Sequence, residues 1–523
     1  MEGQADQSMA LPSLAGAWRL DVPAAIVVFL VALPLCLGIA MASGAPLFAG
    51  VISGIVGGVV VGVLSGSHLM VSGPAAGLTA IVVSALGTLG SYRAFLVAVV
   101  LGGAVQVLLA VLRAGIIGYY FPSNVIRGML AAIGLTLVLK QLPHAVGYDA
   151  DYEGDEAFLQ ANAENTFTAI QHALQRIEPA AVVLSVVALV MLFVWHRTPL
   201  ARVRLFPAPL AVVVLGVAGH WVLSMIDPGL RLPPQHLVTL PMPGSLAEFG
   251  GLFTLPDWSA LWRLDTWRVA VTLGIVASLE TLLSLEATDR LDPYKREAPT
   301  DRELAAQGVG NMVAGFIGGL PITGVIVRSA ANVDAGAQTK VSAILHGVLL
   351  LVAVFAIPAL LNLIPLASLA AILIYTGFKL AHPTVLRYMW AQGRTQFLPF
   401  AITVAAILLT DLLVGIMVGL TVGFIFILLD QLRYPCYTIV SPPGNVLTRV
   451  RLQEQVSFLN KASLARLLED LAPGSRVEID GTACRHIDHD VLEFISDFRQ
   501  TARLKRIDLR TVGLSLPPVS PSH

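Results

Sequence analysis

Charged side chains are scarce. Asp, Glu, Lys and Arg make up 13% of the 523 residues, where a soluble globular protein carries about 25%. With 56% hydrophobic residues, the composition is that of an integral membrane protein. Neither sign of charge dominates: the formal net charge is −1 and no basic block occurs, which argues against a nucleic-acid partner. Cysteine is rarer still. Cys36, Cys436 and Cys484 lie far apart and form no metal or redox motif, so they read as small core residues. The histidines show no metal-ligand spacing. No G-x-S-x-G, Walker A or Rossmann fingerprint is present, which argues against an enzyme and against an ATP-driven pump within this chain. A secondary transporter or a channel remains.

What the chain has in quantity is apolar runs. A membrane span needs roughly 20 apolar residues, fewer where a helix is broken. Fourteen candidates lie near 23–43, 46–66, 74–89, 94–113, 119–141, 178–196, 207–226, 268–287, 303–319, 322–334, 341–362, 366–380, 396–412 and 414–432. The first is long, follows one basic residue (Arg19) and has many similar successors, so it is expected to be a span and not a cleaved signal peptide. Residues 1–22 form a short N-terminal segment, 23–432 the membrane domain, and 433–523 a tail of ordinary charge density with short alternating runs.

An even number of spans puts both termini on one side, and Lys and Arg choose the side. Arg113, Arg197, Arg202, Arg204, Arg290, Lys295, Arg296, Arg302, Lys340, Arg387 and Arg394 fall in loops on the side of the tail. The opposite connection, 142–177, is acidic (Asp149, Asp151, Glu153, Asp155, Glu156, Glu164). Both termini are therefore expected in the cytoplasm, with the protein in the cytoplasmic (inner) membrane.

The third and tenth spans are short, and each opens on Gly and Pro: "SGPAAGLTAIVV" and "GGLPITGVIVRSA". With seven spans per half, at about 23–226 and 268–432, these are equivalent positions. An odd number of spans inverts the second half relative to the first. Broken segments at matched positions of inverted halves point to a transporter's binding site. A helix that starts inside the membrane offers bare N–H groups and the positive end of its dipole, which suits an anion. Pro74 and Pro321 fit as first-turn residues, where a missing N–H costs nothing. Gly73, Gly77 and Gly324 permit close approach, and Ser72, Thr79 and Thr323 offer hydroxyls.

Two charged residues stand deep in the spans. Arg328 lies about two turns into the tenth and would add positive potential to an anion site. Glu280 lies near the middle of the eighth, with Ser284 one turn later on the same face. Their oxygens suit a hard cation such as Na⁺, or a proton. A cation bound there would relieve repulsion between Glu280 and an anion. A structural Glu280–Arg328 ion pair is the alternative. Glu286 and Asp289 read as interfacial, Asp411 as a helix cap, and Arg127 and Lys140 as snorkelling side chains.

The stretches "VSGPAAGLT" (71–79), "SLETLLSLEATDRLD" (278–292), "GGLPITGVIVRSAANVDAGAQTK" (318–340) and "LLTDLLVGIMVGL" (408–420), taken in this order, resemble the SulP sulfate-permease family of inorganic anion transporters. The resemblance covers nearly the whole chain. It implies a polytopic α-helical fold, a seven-plus-seven inverted repeat of core and gate domains, an elevator-like movement and a homodimer. It places the anion by Gly73, Pro74, Ala75 and Ala76 on one side and Gly324, Val325, Ile326 and Val327 on the other, with Thr79 and Arg328 beside them. Arg328 matches the basic residue that shapes the site in animal relatives. Glu280 and Ser284 match the Na⁺-binding positions of bicarbonate-transporting relatives. The relatives' tenth-span hydroxyl is Ile326 here, so H⁺ serves as well as Na⁺. "SGPAAGL" is similar to a branch found near or fused to carbonic anhydrases, which favours bicarbonate over sulfate and offers a carbonic anhydrase as cytoplasmic partner.

The tail resembles a STAS domain, a small α/β module, through "VSFLNKASLARLLEDL" and "SRVEIDGTACRHIDHDVLEFISDF". Its usual Asp-Ser-Ser/Thr-Gly loop is replaced by Asp488-His489-Asp490-Val491. No phosphorylation switch is therefore expected. The chain stops soon after "IDLRTVGL", so the final strand and helix are expected to be absent. The expected function is secondary active transport of a small inorganic anion, with Na⁺ or H⁺ as coupling ion and no other cofactor. A proton-coupled nucleobase permease of the same fold is the first alternative, though "PITGVIV" offers few polar groups to a base. A membrane-tethered STAS scaffold or sensor is the second, and it leaves the costly Glu280 and Arg328 without a purpose.

Overall fold

In the computed structural model the chain forms two compact units, Met1–Leu420 and Thr421–His523. The structure describes residues 14–151, 158–160, 164–197, 207–239, 250–433, 435–440 and 447–518. Of the residues that set the expected orientation, Glu153, Asp155, Glu156, Arg202 and Arg204 lie outside these ranges.

All fourteen apolar segments coincide with a helix, or with a short strand leading into one. The first half holds α1 (Leu14–Ala42), α2 (Leu47–Leu64), β1 (Ser72–Pro74) with α3 (Thr79–Leu89), and α4 (Tyr92–Val111). It continues with α5 (Ser123–Ala145), α6 (Thr166–Gln175), α7 (Pro179–Val194) and α8 (Ala208–Ile226). The second half holds α9 (Leu264–Leu291), α10 (Thr300–Ile317), β2 (Ile322–Gly324) with α11 (Ile326–Asp334), and α12 (Val341–Ala356). It ends with α13 (Leu366–Leu380), α14 (Pro383–Ala391), α15 (Arg394–Leu409) and α16 (Leu412–Arg433). Of these, α6 and α14 were not among the expected spans. The boundary between the units falls inside α16, whereas the composition changes only at its end.

The packing repeats itself when each span is exchanged for the one seven places away. Helix α1 packs on α12, and the equivalent pair α9 and α4 also pack. The pairs α5–α15 and α13–α7 are related in the same way. Lipid tails supply no hydrophobic drive between helices, so close backbone approach through glycine does much of the joining. On the α4–α10 contact, a Cβ on Gly103 or Gly308 would lie 2.5 or 2.6 Å from the other's carbonyl oxygen. Its equivalent, α12 on α2, brings Gly347 and Gly58 together as tightly: a Cβ on either would lie 2.8 or 2.6 Å from the other's Cα. Spans that are each other's equivalents also meet directly. Helices α5 and α13 touch through Gly134 and Gly377, and β1 pairs antiparallel with β2. Antiparallel pairing of equivalent strands is what inversion of one half requires.

The long connection after α5 is pinned by buried ion pairs. Asp149 accepts hydrogen bonds from His144 Nδ1 at 2.5 Å and from His236 Nδ1. Lys140 does not snorkel; it pairs with Asp151 at 3.3 Å. Burial alone would raise the Asp149 pKa, but the hydrogen bonds from the two imidazoles outweigh it and hold the carboxyl below its ordinary 3.8.

The second unit contains a four-stranded sheet. β3 (Tyr437–Val440), β4 (Leu447–Leu452), β6 (Arg476–Asp480) and β8 (Asp508–Val512) lie side by side in that order, with only β3 antiparallel to its neighbour. β5 (Gln455–Val456) and β7 (His486–Ile487) pair separately. α17 (Lys461–Glu469) and α18 (His489–Leu504) pack against the unit's core through Leu464, Leu468, Val491, Ile495 and Phe498. Asp488 is the N-cap of α18, accepting from the Asp490 N–H. No helix follows β8 among the described residues.

Candidate functional site

The two broken spans meet where they break. Ser72 sits opposite Gly324, Gly73 opposite Thr323 and Pro74 opposite Ile322. The ladder is extended by the Val325 N–H, which donates to the Val71 carbonyl at 2.9 Å. Non-helical backbone is tolerated at membrane depth only when it is buried in protein or lines a cavity. Here each strand satisfies the other. This corrects the first-turn role expected of the prolines. Pro74 ends β1, with the α-helix beginning only at Thr79 after a 3₁₀ turn, and Pro321 precedes β2. The strand occupies the residues that were counted as helix. For the same reason Arg328 stands in the first turn of its helix and not two turns in.

Helix α10 holds both strands from one face. Glu303, Gln307 and Asn311 recur every four residues, so they line a single stripe. The Asn311 amide donates to the Ile322 carbonyl at 2.8 Å and accepts from the Ile322 N–H at 2.5 Å. Gln307 donates to Ser72 Oγ at 2.6 Å and to Glu303 Oε1 at 3.0 Å. Glu303 in turn accepts from Ser65 Oγ at 2.5 Å. A polar stripe inside an apolar helix, "RELAAQGVGNMV", was the signal for these residues, which sequence reasoning passed over.

Both helices start with no side chain capping them. Leu78 and Val325 are the N-cap residues of α3 and α11, and neither can bond to the first N–H groups. Thr79 Oγ1 is buried and has no hydrogen-bond partner among the described residues. Beside these starts lies Arg328, with 0% of its surface exposed. Its guanidinium packs over Gly73, where any side chain would collide: a Cβ there would lie 2.1 Å from Nη1. Nη2 donates to Cys36 Sγ at 3.3 Å, while Nε and Nη1 have no hydrogen-bond partner among the described residues. No carboxylate among the described residues hydrogen-bonds Arg328 Nε or Nη1.

Glu280 is found elsewhere in the site. Its carboxylate packs on the next glycine of the broken span, where a Cβ on Gly77 would lie 2.9 Å from Oε1. Glu280, Ser284 and Gly77 line one narrow cavity with Met129 of α5 and Leu412, Leu413 and Ile416 of α16. Its free volume of about 10 Å³ is close to that of one water molecule. The structure thus unites Gly77, Glu280 and Ser284, and it unites Gly73 with Arg328. Ala75, Ile326 and Val327 are buried and Ala76 and Val325 half-buried at the helix starts, and none of these five borders the cavity. Met129 and the three α16 residues gave no sequence signal, being apolar residues in apolar spans.

A larger cavity of about 500 Å³ is lined by Arg127, Leu130, Leu291, Val333, Asp334 and Lys379, among others. Leu291 is two turns along α9 from Ser284, on the same face. Arg127 stacks on Tyr388, 4.8 Å from the ring centre, and Lys379 pairs with Asp334 at 3.6 Å. Asp411 accepts from the Val414 N–H at 2.8 Å, the capping role expected of it.

Comparison with known proteins gives concordant results. A profile of the Sulfate permease family matches residues 18–403. YvdB of Bacillus subtilis (strain 168), a protein named for sulfate transport, is 27% identical over 407 residues, or 78% of this chain and 73% of its own. The bicarbonate transporter BicA of Picosynechococcus sp. is 24% identical over 416 residues, or 77% of this chain and 69% of its own. Among solved structures, that of SLC26A9 superposes with a TM-score of 0.67 at 14% identity, covering 96% of this chain and 86% of the other. These relatives are transporters, not enzymes.

Proposed function

This chain belongs to the sulfate permease family, and from that premise we propose that it is a secondary transporter of a small inorganic anion, sulfate or bicarbonate. The observation that carries the reading is Arg328. It is a wholly buried cation, standing at the start of a helix, with two donor nitrogens that have no hydrogen-bond partner among the described residues. A helix N-terminus is positive, so both the dipole and the guanidinium call for negative charge at the same place. Leaving such a group without a counter-charge is costly. A transported anion, docked on the bare N–H groups of α3 and α11, supplies the counter-charge during each cycle.

The anion site is small because backbone builds it. Gly73 and Gly324 keep the strands slim, and the Thr79 hydroxyl adds a donor. Glu280 and Ser284 line their cavity with hard oxygens, so Na⁺ or H⁺ bound there lowers the repulsion felt by an incoming anion and couples its movement to a cation gradient. Met129, Leu412, Leu413 and Ile416 belong to the gate side of this cavity. In elevator-type alternating access, the clasped strands and α9 slide past them as one body. The protein works as a homodimer in the cytoplasmic membrane with both termini in the cytoplasm. Its tail is a STAS-like module serving packing or docking, with a carbonic anhydrase as a fitting partner if bicarbonate is the cargo.

The test is uptake by the full chain in proteoliposomes, using radiolabelled sulfate, bicarbonate and dicarboxylates with and without a Na⁺ or pH gradient. Saturable uptake of sulfate or bicarbonate is expected. No uptake of any of these anions refutes the reading.

A further inference from the structure

His346 is a buried titratable group that the transport reading leaves unused. It lies on α12, with 0% of its surface exposed. Its Nδ1 is 2.6 Å from the Ala343 carbonyl. A carbonyl can only accept, so Nδ1 carries the hydrogen and Nε2 of the neutral ring holds a lone pair. That Nε2 is buried with no partner among the described residues. The ring is wedged against a π-helical turn, Gly57–Val61, in the middle of α2. A Cβ on Gly58 would lie 2.8 Å from His346 Cε1, and one on Gly57 would lie 2.4 Å from the Ser72 carbonyl oxygen. One turn of helix therefore separates the imidazole from β1. Single π-turns inside α-helices are frequent at functional sites.

The charges around His346 are few. Arg328 on α11 is near enough for its charge to act on the ring. Helix α1 presents Cys36, which is bonded to Arg328. Helix α2 with its π-turn, β1 and the short helix Pro358–Leu361 present no titratable side chain. At the start of α12, Lys340 bonds the Val63 carbonyl and Asp21 of α1 binds Thr339, one to two turns away.

We propose that His346 takes up a proton each time an anion binds beside Arg328, and that this makes it a proton-coupling residue of the transport cycle. With the anion absent, a proton on Nε2 would place a second positive charge near the Arg328 guanidinium and two helix N-termini. With the anion bound, that opposition is cancelled and the lone pair accepts H⁺ from the water that admits the anion. The proton leaves when the anion leaves. Linkage is reciprocal, so protonation tightens anion binding as much as the anion favours protonation. Glu280 and Ser284, on a different cavity, remain available to a second cation.

The inference rests on the anion-transport reading, and its test separates the two. Sulfate and bicarbonate binding to the purified full chain is measured from about pH 5 to 8, the range in which imidazole titrates. Proton uptake is counted for sulfate from binding heats in buffers of different ionisation enthalpy. In the natural protein the apparent affinity should rise about tenfold per pH unit of acidification over part of this range, with about one proton taken up per sulfate. His346→Asn keeps a donor for the Ala343 carbonyl but cannot titrate, so both the pH slope and the proton count should vanish. Glu280→Gln should leave the proton count in place. A proton count unchanged in His346→Asn overturns the inference, as does a count abolished by Glu280→Gln alone. Should His346→Asn fail to fold, His346→Gln repeats the test. Should both fail, pH-independent anion affinity in the natural protein overturns it. Absence of any sulfate or bicarbonate binding would instead refute the transport reading itself.

Discussion

Replacing Arg328 by Met separates a functional cation from a structural one, because the two roles predict opposite effects on stability. Met has nearly the reach of the Arg stem and fills the space between Gly73 and Cys36 without charge. Nε and Nη1 have no hydrogen-bond partner among the described residues to be orphaned by the change. Replacing a buried charge with an apolar group is often neutral or stabilising, so the anion-free variant should unfold at the same temperature as the natural protein or higher. Anion affinity should fall. A unit charge about 6 Å from the anion, at an effective dielectric constant of about 20, contributes about 2.8 kcal/mol, or roughly 100-fold. Thermal unfolding in detergent, with and without sulfate or bicarbonate, reads both quantities. At 100 times the Kd an anion stabilises the natural protein by about 2.7 kcal/mol, and the same concentration should stabilise the variant by only about 0.4 kcal/mol. A variant that loses several degrees without anion, yet keeps the full anion-induced shift, would show that Arg328 is a structural group and that the electrostatic argument is wrong.

Four further outcomes follow. Gly73→Ala places a methyl 2.1 Å from Arg328 Nη1 and should cut uptake at least about tenfold, whereas Gly87→Ala, with nothing within 4 Å, should gain up to about 1 kcal/mol in helix stability. Asn311→Leu strips Ile322 of both its side-chain hydrogen bonds and should cost about 3 kcal/mol, read as a lower unfolding temperature together with lost uptake. Glu280→Gln should abolish the dependence of uptake on a Na⁺ gradient while the protein still folds; an unchanged dependence removes Glu280 from coupling. The Asp149 carboxyl, held below 3.8 by His144 and His236, contributes stability above the ordinary carboxyl pKa that is lost as pH falls through its lowered value. Asp149→Asn should therefore flatten the acid limb of unfolding temperature against pH, and a limb of unchanged steepness would contradict this.

Long apolar runs with loose ends are easy to read, and every span could be placed from them. The two broken spans could also be found, since Gly and Pro in matched positions are a local signal. Their pairing was harder. Ser72 and Gly324 are far apart in the chain, and nothing in three residues of each announces a strand. Proline close behind glycine reads equally as a helix start, which is why Pro74 and Pro321 read as first-turn residues. The α10 stripe was visible as a period of four, but an apolar helix with three polar residues resembles any helix facing water. Its meaning comes from contacts such as Gln307 with Ser72, which only the fold creates. His346 gave no signal at all, because its interest lies in an atom without a partner. The short helix α14 escaped because its nine residues are interrupted by Arg387 and do not form a run of span length.

The paired strands also bear on how such a chain could have arisen. Each half contributes one strand, and each strand finds its backbone partners in the other half. A half-length ancestor would have carried an exposed strand edge into the bilayer, where no water could satisfy it. Two copies inserted in opposite orientations would each have covered the other's edge with the same antiparallel register that joins Ser72 to Gly324 today. Association of half-chains would then have preceded their fusion, and the anion seat would be as old as that first pairing.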